Sequence, residues 1–213
     1  MRRFTGPSRN LQRRLAIRMP SHRVAQSHER PLRFFSAFGT PPASENDGEA
    51  TSNSGWTGGA VLAYADGASR GNPGRSGCGA LLMDPSSREV IATSTRYLGE
   101  QETNNTAEYS GLLLALRLAH QHDATHVHIH MDSQLIVRQM LGQYRVKAAN
   151  LRGLHKQCKE LCASLIEVTF SHVRREENAA ADRLANKAID EYEALEQDVV
   201  HAEGDLTEIT SER

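Results

Sequence analysis

The chain has 213 residues, of which 38% are hydrophobic and 24% are charged, and its formal net charge is −1. This length accommodates one domain of ordinary size with additional segments. No run of 18 or more apolar residues occurs, so no membrane span is expected. Because Cys78, Cys158 and Cys162 are few and odd in number, a disulfide-stapled module is excluded, and we predict buried free thiols.

The charge is distributed unevenly along the chain. Residues 1–44 contain nine arginines and one acid, a net of +8, whereas residues 190–213 contain nine acids and one arginine, a net of −8. Residues 61–189 contain 15 basic and 13 acidic residues. This slight basic excess is compatible with a nucleic-acid partner, although it is a weak signal alone.

The first 42 residues are rich in Arg, Ser and Pro. Leu11, Leu15 and Met19 recur every four residues with arginines between them, a pattern typical of a basic amphipathic helix, and the segment resembles an organellar transit peptide. We therefore expect a disordered targeting segment at 1–42 and a mitochondrial location. The alternatives are a plastid address, or a nucleic-acid-binding arm on a cytoplasmic or nuclear protein. The small polar residues 43–59 are typical of a linker.

Three short strands are predicted next. Ala60–Asp66, Cys78–Asp84 and Glu89–Leu98 are apolar or alternating runs. Turn residues separate them at Gly67–Gly77 and Pro85–Arg88. Because the connections are short, the three strands are expected to form an antiparallel meander.

The remaining pattern alternates helices and strands. Thr103 is a predicted N-cap, and a strand that follows a helix is expected to run parallel to the first strand. We predict a domain at 60–195 of the α/β class, a five-stranded mixed sheet of three antiparallel strands and then parallel strands, flanked by helices, with a disordered acidic tail at 196–213. The predicted elements are helix Thr103–His122, strand Ala124–Met131, helices Ser133–Leu141 and Ala149–Ala163, strand Leu165–Ser171 and helix Glu176–Leu195.

Four carboxylates lie at the ends of these elements. Asp66 and Asp132 end the first and fourth predicted strands, and adjacent parallel strands place such residues together at one sheet edge. Glu108 and Asp182 lie early in two helices that can reach that edge. Clustered carboxylates repel unless a cation joins them, and oxygen ligands suit Mg²⁺ or Mn²⁺. Two such ions could activate water and stabilise the leaving oxygen of a phosphodiester.

Four motifs carry a family resemblance. They occur in the order DGASRGNPGRSGCGALL (66–82), TNNTAEYSGLLLAL (103–116), MDSQLIVRQM (131–140) and SHVRREENAAADRLANKAID (171–190). Together they resemble the signature motifs of type 1 ribonucleases H. Because no Trp- and Lys-rich insertion lies between Gln134 and Leu165, the chain resembles the short archaeal and plant reverse-transcriptase-like branch.

The resemblance implies a fold, an activity and residue roles. It implies the ribonuclease H-like fold and an endoribonuclease that cuts the RNA strand of RNA–DNA hybrids with two Mg²⁺ (or Mn²⁺) ions. Asp66, Glu108, Asp132 and Asp182 match the metal-binding catalytic acids, and His172 matches a mobile histidine that assists proton transfer or product release. The implied substrate contacts are Gly67, Asn72, Asn104, Asn105, Gln134 and Asn178.

These roles agree with elementary chemistry. Amide side chains donate and accept hydrogen bonds, so they can address a base edge and the 2′-hydroxyl that marks RNA. Glycine permits close backbone approach, and histidine exchanges protons near neutral pH. For Asn72 and Gly74, ordinary turn chemistry is an equally good interpretation.

Alternatives remain open at this level. The same fold could serve as a non-catalytic module that binds hybrids or double-stranded RNA, or as a related exonuclease or junction resolvase. His126, His128 and His130 alternate along one strand and could ligate zinc, but we interpret them as packed or edge histidines. No protein partner is inferred, and a monomer is expected.

Overall fold

The computed structural model describes the backbone of residues 58–211 and the side chains of residues 58–197. The predicted transit segment 1–42 and nearly all of the linker lie outside the described residues. Within them the element order is β1 Gly59–Gly71, β2 Gly74–Met83, β3 Val90–Glu102, α1 Asn104–Gln121, β4 Ala124–Met131, α2 Gln134–Met140, α3 Ala149–Ala163, β5 Glu167–His172, a 3₁₀ turn Arg175–Glu177 and α4 Ala179–Ser211.

The sheet confirms the predicted architecture. Its strand order is β3-β2-β1-β4-β5. β1 and β3 pair antiparallel with β2, whereas β4 pairs parallel with both β1 and β5. Since β1 and β4 are neighbours that run in the same direction, their carboxyl ends meet at one edge, as the sequence predicts.

Helices cover the two faces of the sheet. A Cβ added to Gly67 would meet the backbone of α1, whereas one added to Gly77 or Gly79 would meet α4. Side chains of successive strand residues point to opposite faces, and Gly67 pairs with Cys78, which lies between those two glycines. α1 and α4 therefore pack on opposite faces. The main core lies on the α1 face, where Leu82, Leu112, Leu116 and Ile129 are fully buried.

The first hairpin is longer than predicted. The predicted turn Gly67–Gly77 is mostly strand, because β1 continues to Gly71 and β2 begins at Gly74. Only Gly71 in this stretch has a positive φ, at 109°. Gly67 and Gly77 lack a side chain because helices approach them closely, so glycines that suggest a turn in the sequence mark packing contacts.

The sequence predicts a disordered acidic tail from residue 196, whereas in the structure α4 spans Ala179–Ser211. Residues 196–211 contain no proline and one glycine, so nothing in the sequence interrupts the helix strongly. Acidic residues of α4 also pair with the hairpin. Arg70 binds Asp190 and Glu193, and Arg75 lies 2.8 Å from Glu196.

Two minor interpretations agree with the structure. Cys78 and Cys158 are buried free thiols, and burial raises the pKa of each to about 12. His130 stacks between Tyr64 and His128, with ring centroids 4.7 and 4.3 Å away, as expected of packed histidines. Across residues 58–211, no helix has the length and hydropathy that a membrane-spanning helix requires.

Candidate active site

Three of the four predicted acids converge at the expected edge of the sheet. Asp66 lies in β1 two residues beyond its last pairing with β4, Asp132 follows β4, and Glu108 lies in the second turn of α1. Each offers one carboxylate oxygen, and these oxygens all lie within 4.8 Å of one another. In the described part of the chain, no other group of three or more His, Cys, Asp or Glu side chains lies this close.

Two glycines allow α1 to approach β1 closely enough for this convergence. An added Cβ on Gly67 would lie 2.0 Å from the backbone carbon of Ala107, and one on Gly111 would lie 2.3 Å from the backbone oxygen of Asp66. Real side-chain atoms are not found at such distances. Glu108 therefore reaches Asp66 because neither interface position carries a side chain.

Asn178 fixes the position of Asp132. It is fully buried, and its Nδ2 donates to the backbone oxygen of Ala65 and to Oδ1 of Asp132, each at 3.1 Å. These bonds join the start of α4 to β1 and to the acid that follows β4. This buried position fits a positioning role better than the direct substrate contact that the sequence predicts for Asn178.

The cluster carries an unfavourable excess of negative charge. Burial, followed by repulsion from Asp132, raises the pKa of Asp66 to about 7. Burial, followed by repulsion from Asp66 and Asp132, raises the pKa of Glu108 to about 9. Glu108 Oε2 is buried without a hydrogen-bond partner among the described residues. A hard divalent cation would relieve both the repulsion and the unpaired oxygen, so these residues fit a metal site.

Asp182 lies nearby but is oriented differently from the prediction. It occupies the first turn of α4, where its Oδ1 accepts a hydrogen bond from Arg175 at 2.8 Å and its Oδ2 accepts one from Asn186 at 3.3 Å. It is not one of the three acids within 4.8 Å, yet its charge contributes to the raised pKa of Asp66. Arg175 thus balances the fourth acid in this structure.

Arg175 and Gly111 are site residues that the sequence reasoning missed. Arg175 lies seven residues before Asp182 in the closing motif, and a base so near a predicted metal-binding acid is a signal that could have been used. Gly111 interrupts the apolar face of a predicted helix. An isolated glycine in a helical pattern often indicates close packing, as it does here.

The other predicted residues line the same edge. His172 ends β5, is exposed, and has Nε2 3.0 Å from the backbone oxygen of Asp132. Asn72 Oδ1 accepts a hydrogen bond from the backbone N–H of Asn104 at 3.2 Å, so the hairpin turn contacts the start of α1. Asn105 is exposed in the first turn of α1, and Gln134 is exposed at the start of α2.

The raised pKa values predict how stability depends on pH without metal. The unfolded chain ionises Asp66 and Glu108 near their ordinary values of 3.8 and 4.5, whereas the folded chain holds their protons up to about 7 and 9. The folded state thus binds more protons across this window, so the stability that the two groups contribute is full below about pH 4 and is lost as the pH rises.

We expect Glu108→Gln to raise the melting temperature in EDTA at pH 8.5 by more than about 3 °C, roughly the effect of 1 kcal/mol in a domain of this size. The shift should be small at pH 5, because this pH is close to the ordinary value of 4.5 at which the unfolded chain also takes up the proton, so keeping Glu108 protonated in the fold costs little there. Thermal unfolding of both proteins at the two pH values measures this. An equal shift at both pH values would contradict the assignment.

The chain is similar to a known protein family and to individual proteins. The model of the reverse transcriptase-like family matches residues 64–188. The protein named bifunctional protein Rv2228c, from Mycobacterium tuberculosis, is 42% identical over 130 residues, which cover 61% of this chain and 35% of the relative. The chain therefore matches about a third of that relative's length.

Two solved structures are similar to this chain over 62% of its length. The crystal structure of RNase H1 from the halophilic archaeon Halobacterium salinarum has a TM-score of 0.60 and 35% identity, and covers 62% of this chain and 98% of that one. The structure of LC11-RNase H1 in complex with an RNA/DNA hybrid has a TM-score of 0.58 and 37% identity, with coverages of 62% and 98%.

Proposed function

This chain belongs to the reverse transcriptase-like family of ribonuclease H domains, and on that premise we propose that it is an endoribonuclease that hydrolyses the RNA strand of RNA–DNA hybrids. The observation that carries the proposal is the group of three carboxylates, Asp66, Glu108 and Asp132, which offer oxygens within 4.8 Å of one another. The family resemblance is consistent with the choice of substrate, since LC11-RNase H1 is described in complex with an RNA/DNA hybrid.

We propose that Asp66, Glu108 and Asp132 hold two Mg²⁺ or Mn²⁺ ions together with Asp182. Their all-oxygen donor set suits these cations. When bound, the ions would supply Lewis-acid stabilisation of the phosphodiester and a more acidic water. Asp182 must leave Arg175, 2.8 Å away, if it is to act as a ligand. The released guanidinium would remain near the substrate's negative charge.

The remaining residues would orient the substrate and move protons. His172 is exposed beside Asp132, where its imidazole could take part in proton transfer or product release. Asn104, Asn105 and Gln134 are exposed amides at helix starts, where N–H groups favour phosphate. Asn72 braces this edge through its contact with Asn104. Gly67 allows the backbone of β1 to lie close to α1, the helix that carries Glu108.

A panel of labelled duplexes tests the proposed specificity. The full-length protein, with Mg²⁺ or Mn²⁺, is incubated with an RNA–DNA hybrid, double-stranded RNA, double-stranded DNA and single-stranded RNA of one sequence. We expect internal cuts in the RNA of the hybrid alone. Products that shorten only from the ends would indicate an exonuclease, and binding without any cleavage would indicate a non-catalytic module.

The domain limits and location remain proposals. We propose a transit segment at 1–42, a linker at 43–59 and a mitochondrial address, supported by the arginine-rich amphipathic pattern. Residues 1–42 fused to a fluorescent reporter should direct it to mitochondria, and replacing Arg13, Arg14 and Arg18 by glutamate should abolish import. A diffuse cytosolic signal from the unaltered fusion would contradict the proposal.

We also propose that the chain acts as a monomer. Analytical sedimentation, which measures the molar mass of the protein in solution, tests this proposal.

A further inference from the structure

Within residues 61–189, the part from α2 to the end of α3 carries all of the excess positive charge. Residues 134–163 contain six lysines and arginines and one acid, Glu160. The rest of residues 61–189 contains nine basic and twelve acidic residues. The weak basic excess of residues 61–189 is thus a strong local excess, which a count over that whole segment conceals.

This basic region begins at the same edge of the sheet as the carboxylates. α3 runs beside α1 in the same direction, since Asn150 donates to Thr106 Oγ1 at 3.4 Å near their starts and His120 Nε2 lies 3.2 Å from the Leu161 oxygen near their ends. α1 starts at Asn104. The α2–α3 loop, residues 141–148, therefore returns to the edge where the exposed amides lie.

A groove separates this loop from α3. On its loop side lie Tyr144, Arg145 and Lys147, and on its α3 side lie Arg152, His155 and Lys159. No carboxylate is among the residues that line it. The α3 residues are spaced by three and four positions, so they share one face of the helix. From Arg152 to Lys159 this face extends about 10 Å.

The loop is held in place without any ligand. Gln139 donates to the backbone oxygen of Arg145 at 3.4 Å, and Arg152 donates to that of Lys147 at 3.1 Å. The guanidinium of Arg138 lies 5.1 Å from the ring centre of Tyr144, which is 46% exposed. The loop backbone that carries Arg145 and Lys147 is therefore positioned in advance, which reduces the entropy that binding must overcome.

We propose that this groove binds the sugar–phosphate backbone of the nucleic-acid duplex whose scissile bond lies at the carboxylates. That the duplex is an RNA–DNA hybrid rests on the proposed function. The contact between the groove and a nucleic-acid backbone does not depend on it. Arginine binds phosphate with a planar fork and lysine with a point charge. Because the carboxylate edge is negative, a duplex placed there gains from a basic surface that begins at the same edge and follows α3.

The test compares two variants that each remove two positive charges. R152Q/K159Q alters the groove, and R96Q/K187Q alters exposed positions on β3 and α4 as a matched control. Binding of the full-length proteins to an RNA–DNA hybrid is measured in EDTA, where cleavage is suppressed, across a series of KCl concentrations. The plot of log affinity against log salt should lose about 0.9 of slope for each phosphate contact removed, hence up to about 2 for the groove variant and near zero for the control.

Cleavage is measured in parallel with Mg²⁺ or Mn²⁺. The groove variant should raise KM roughly tenfold with kcat unchanged, since it removes binding shared by the ground and transition states. Equal salt slopes for the groove and control variants would overturn the groove proposal, even if wild type cleaves. A lower slope for the groove variant in a protein that cleaves nothing would support the groove and overturn the nuclease assignment.

Discussion

Asp132→Asn is expected to reduce the rate of hybrid cleavage roughly 10³-fold or more, while hybrid binding in EDTA persists. The substitution retains the side chain's size and an oxygen that can accept the 3.1 Å bond from Asn178. It removes one negative charge from the group that would hold the metal. Losing several kcal/mol of metal-borne stabilisation of the transition state corresponds to a factor of about 10³.

Asp123→Asn is the matched control for that variant. Asp123 precedes β4, at the opposite end of the strand from Asp132, and is exposed. Its φ is 53°, a conformation that asparagine adopts readily. We expect wild-type cleavage from this variant. Full activity from Asp132→Asn would remove Asp132 from the metal-binding group, and loss of activity in both variants would point to misfolding.

Gly67→Ala is expected to have the second large effect. The new methyl group would lie 2.0 Å from the Ala107 backbone carbon and 2.2 Å from the Glu108 nitrogen, so α1 must move away from β1. Overpacking of this kind costs about 1–3 kcal/mol and occasionally more, and we expect roughly 3 kcal/mol because backbone atoms block the methyl group. The displaced helix carries Glu108, so metal affinity should fall together with the melting temperature.

Gly153→Ala provides the control for the glycine substitution. Gly153 lies inside α3, and an added Cβ would meet nothing within 4 Å. Alanine favours a helix over glycine by about 1 kcal/mol, so this variant should be slightly more stable than wild type. Thermal unfolding measures the melting temperature of both variants, and Mn²⁺ titration measures their metal affinity. A Gly67→Ala protein with wild-type stability and metal affinity would contradict the close-packing account of the site.

The sheet and three of the carboxylates could be predicted from the sequence because their signals are local. Alternating strands and a capped helix specify the element order, and Thr103 does cap α1 by accepting from the Thr106 N–H at 3.2 Å. Once the first and fourth strands are taken as parallel neighbours, Asp66 and Asp132 meet at one edge. Only the order of elements and the rule for parallel strands are needed for that step.

Other features depend on contacts between distant parts of the chain. The glycines of the first hairpin suggest a turn until α1 and α4 are seen against Gly67 and Gly77. The acidic residues from 196 onward suggest a solvated tail until α4 is seen to continue through them, with Glu196 beside Arg75. The orientation of Asp182 depends on its pairing with Arg175, and sequence spacing alone does not decide between that pairing and metal ligation.

The most direct test of the central claim is cleavage of an end-labelled RNA–DNA hybrid by the full-length protein in Mg²⁺, in Mn²⁺ and in EDTA. The account predicts internal cuts in the RNA strand with either metal, none in EDTA, and recovery of cleavage when the metal is restored in excess of the chelator. An intact hybrid under all conditions, alongside a control enzyme that cuts it, would contradict the assignment. The carboxylate group would then belong to a binding module.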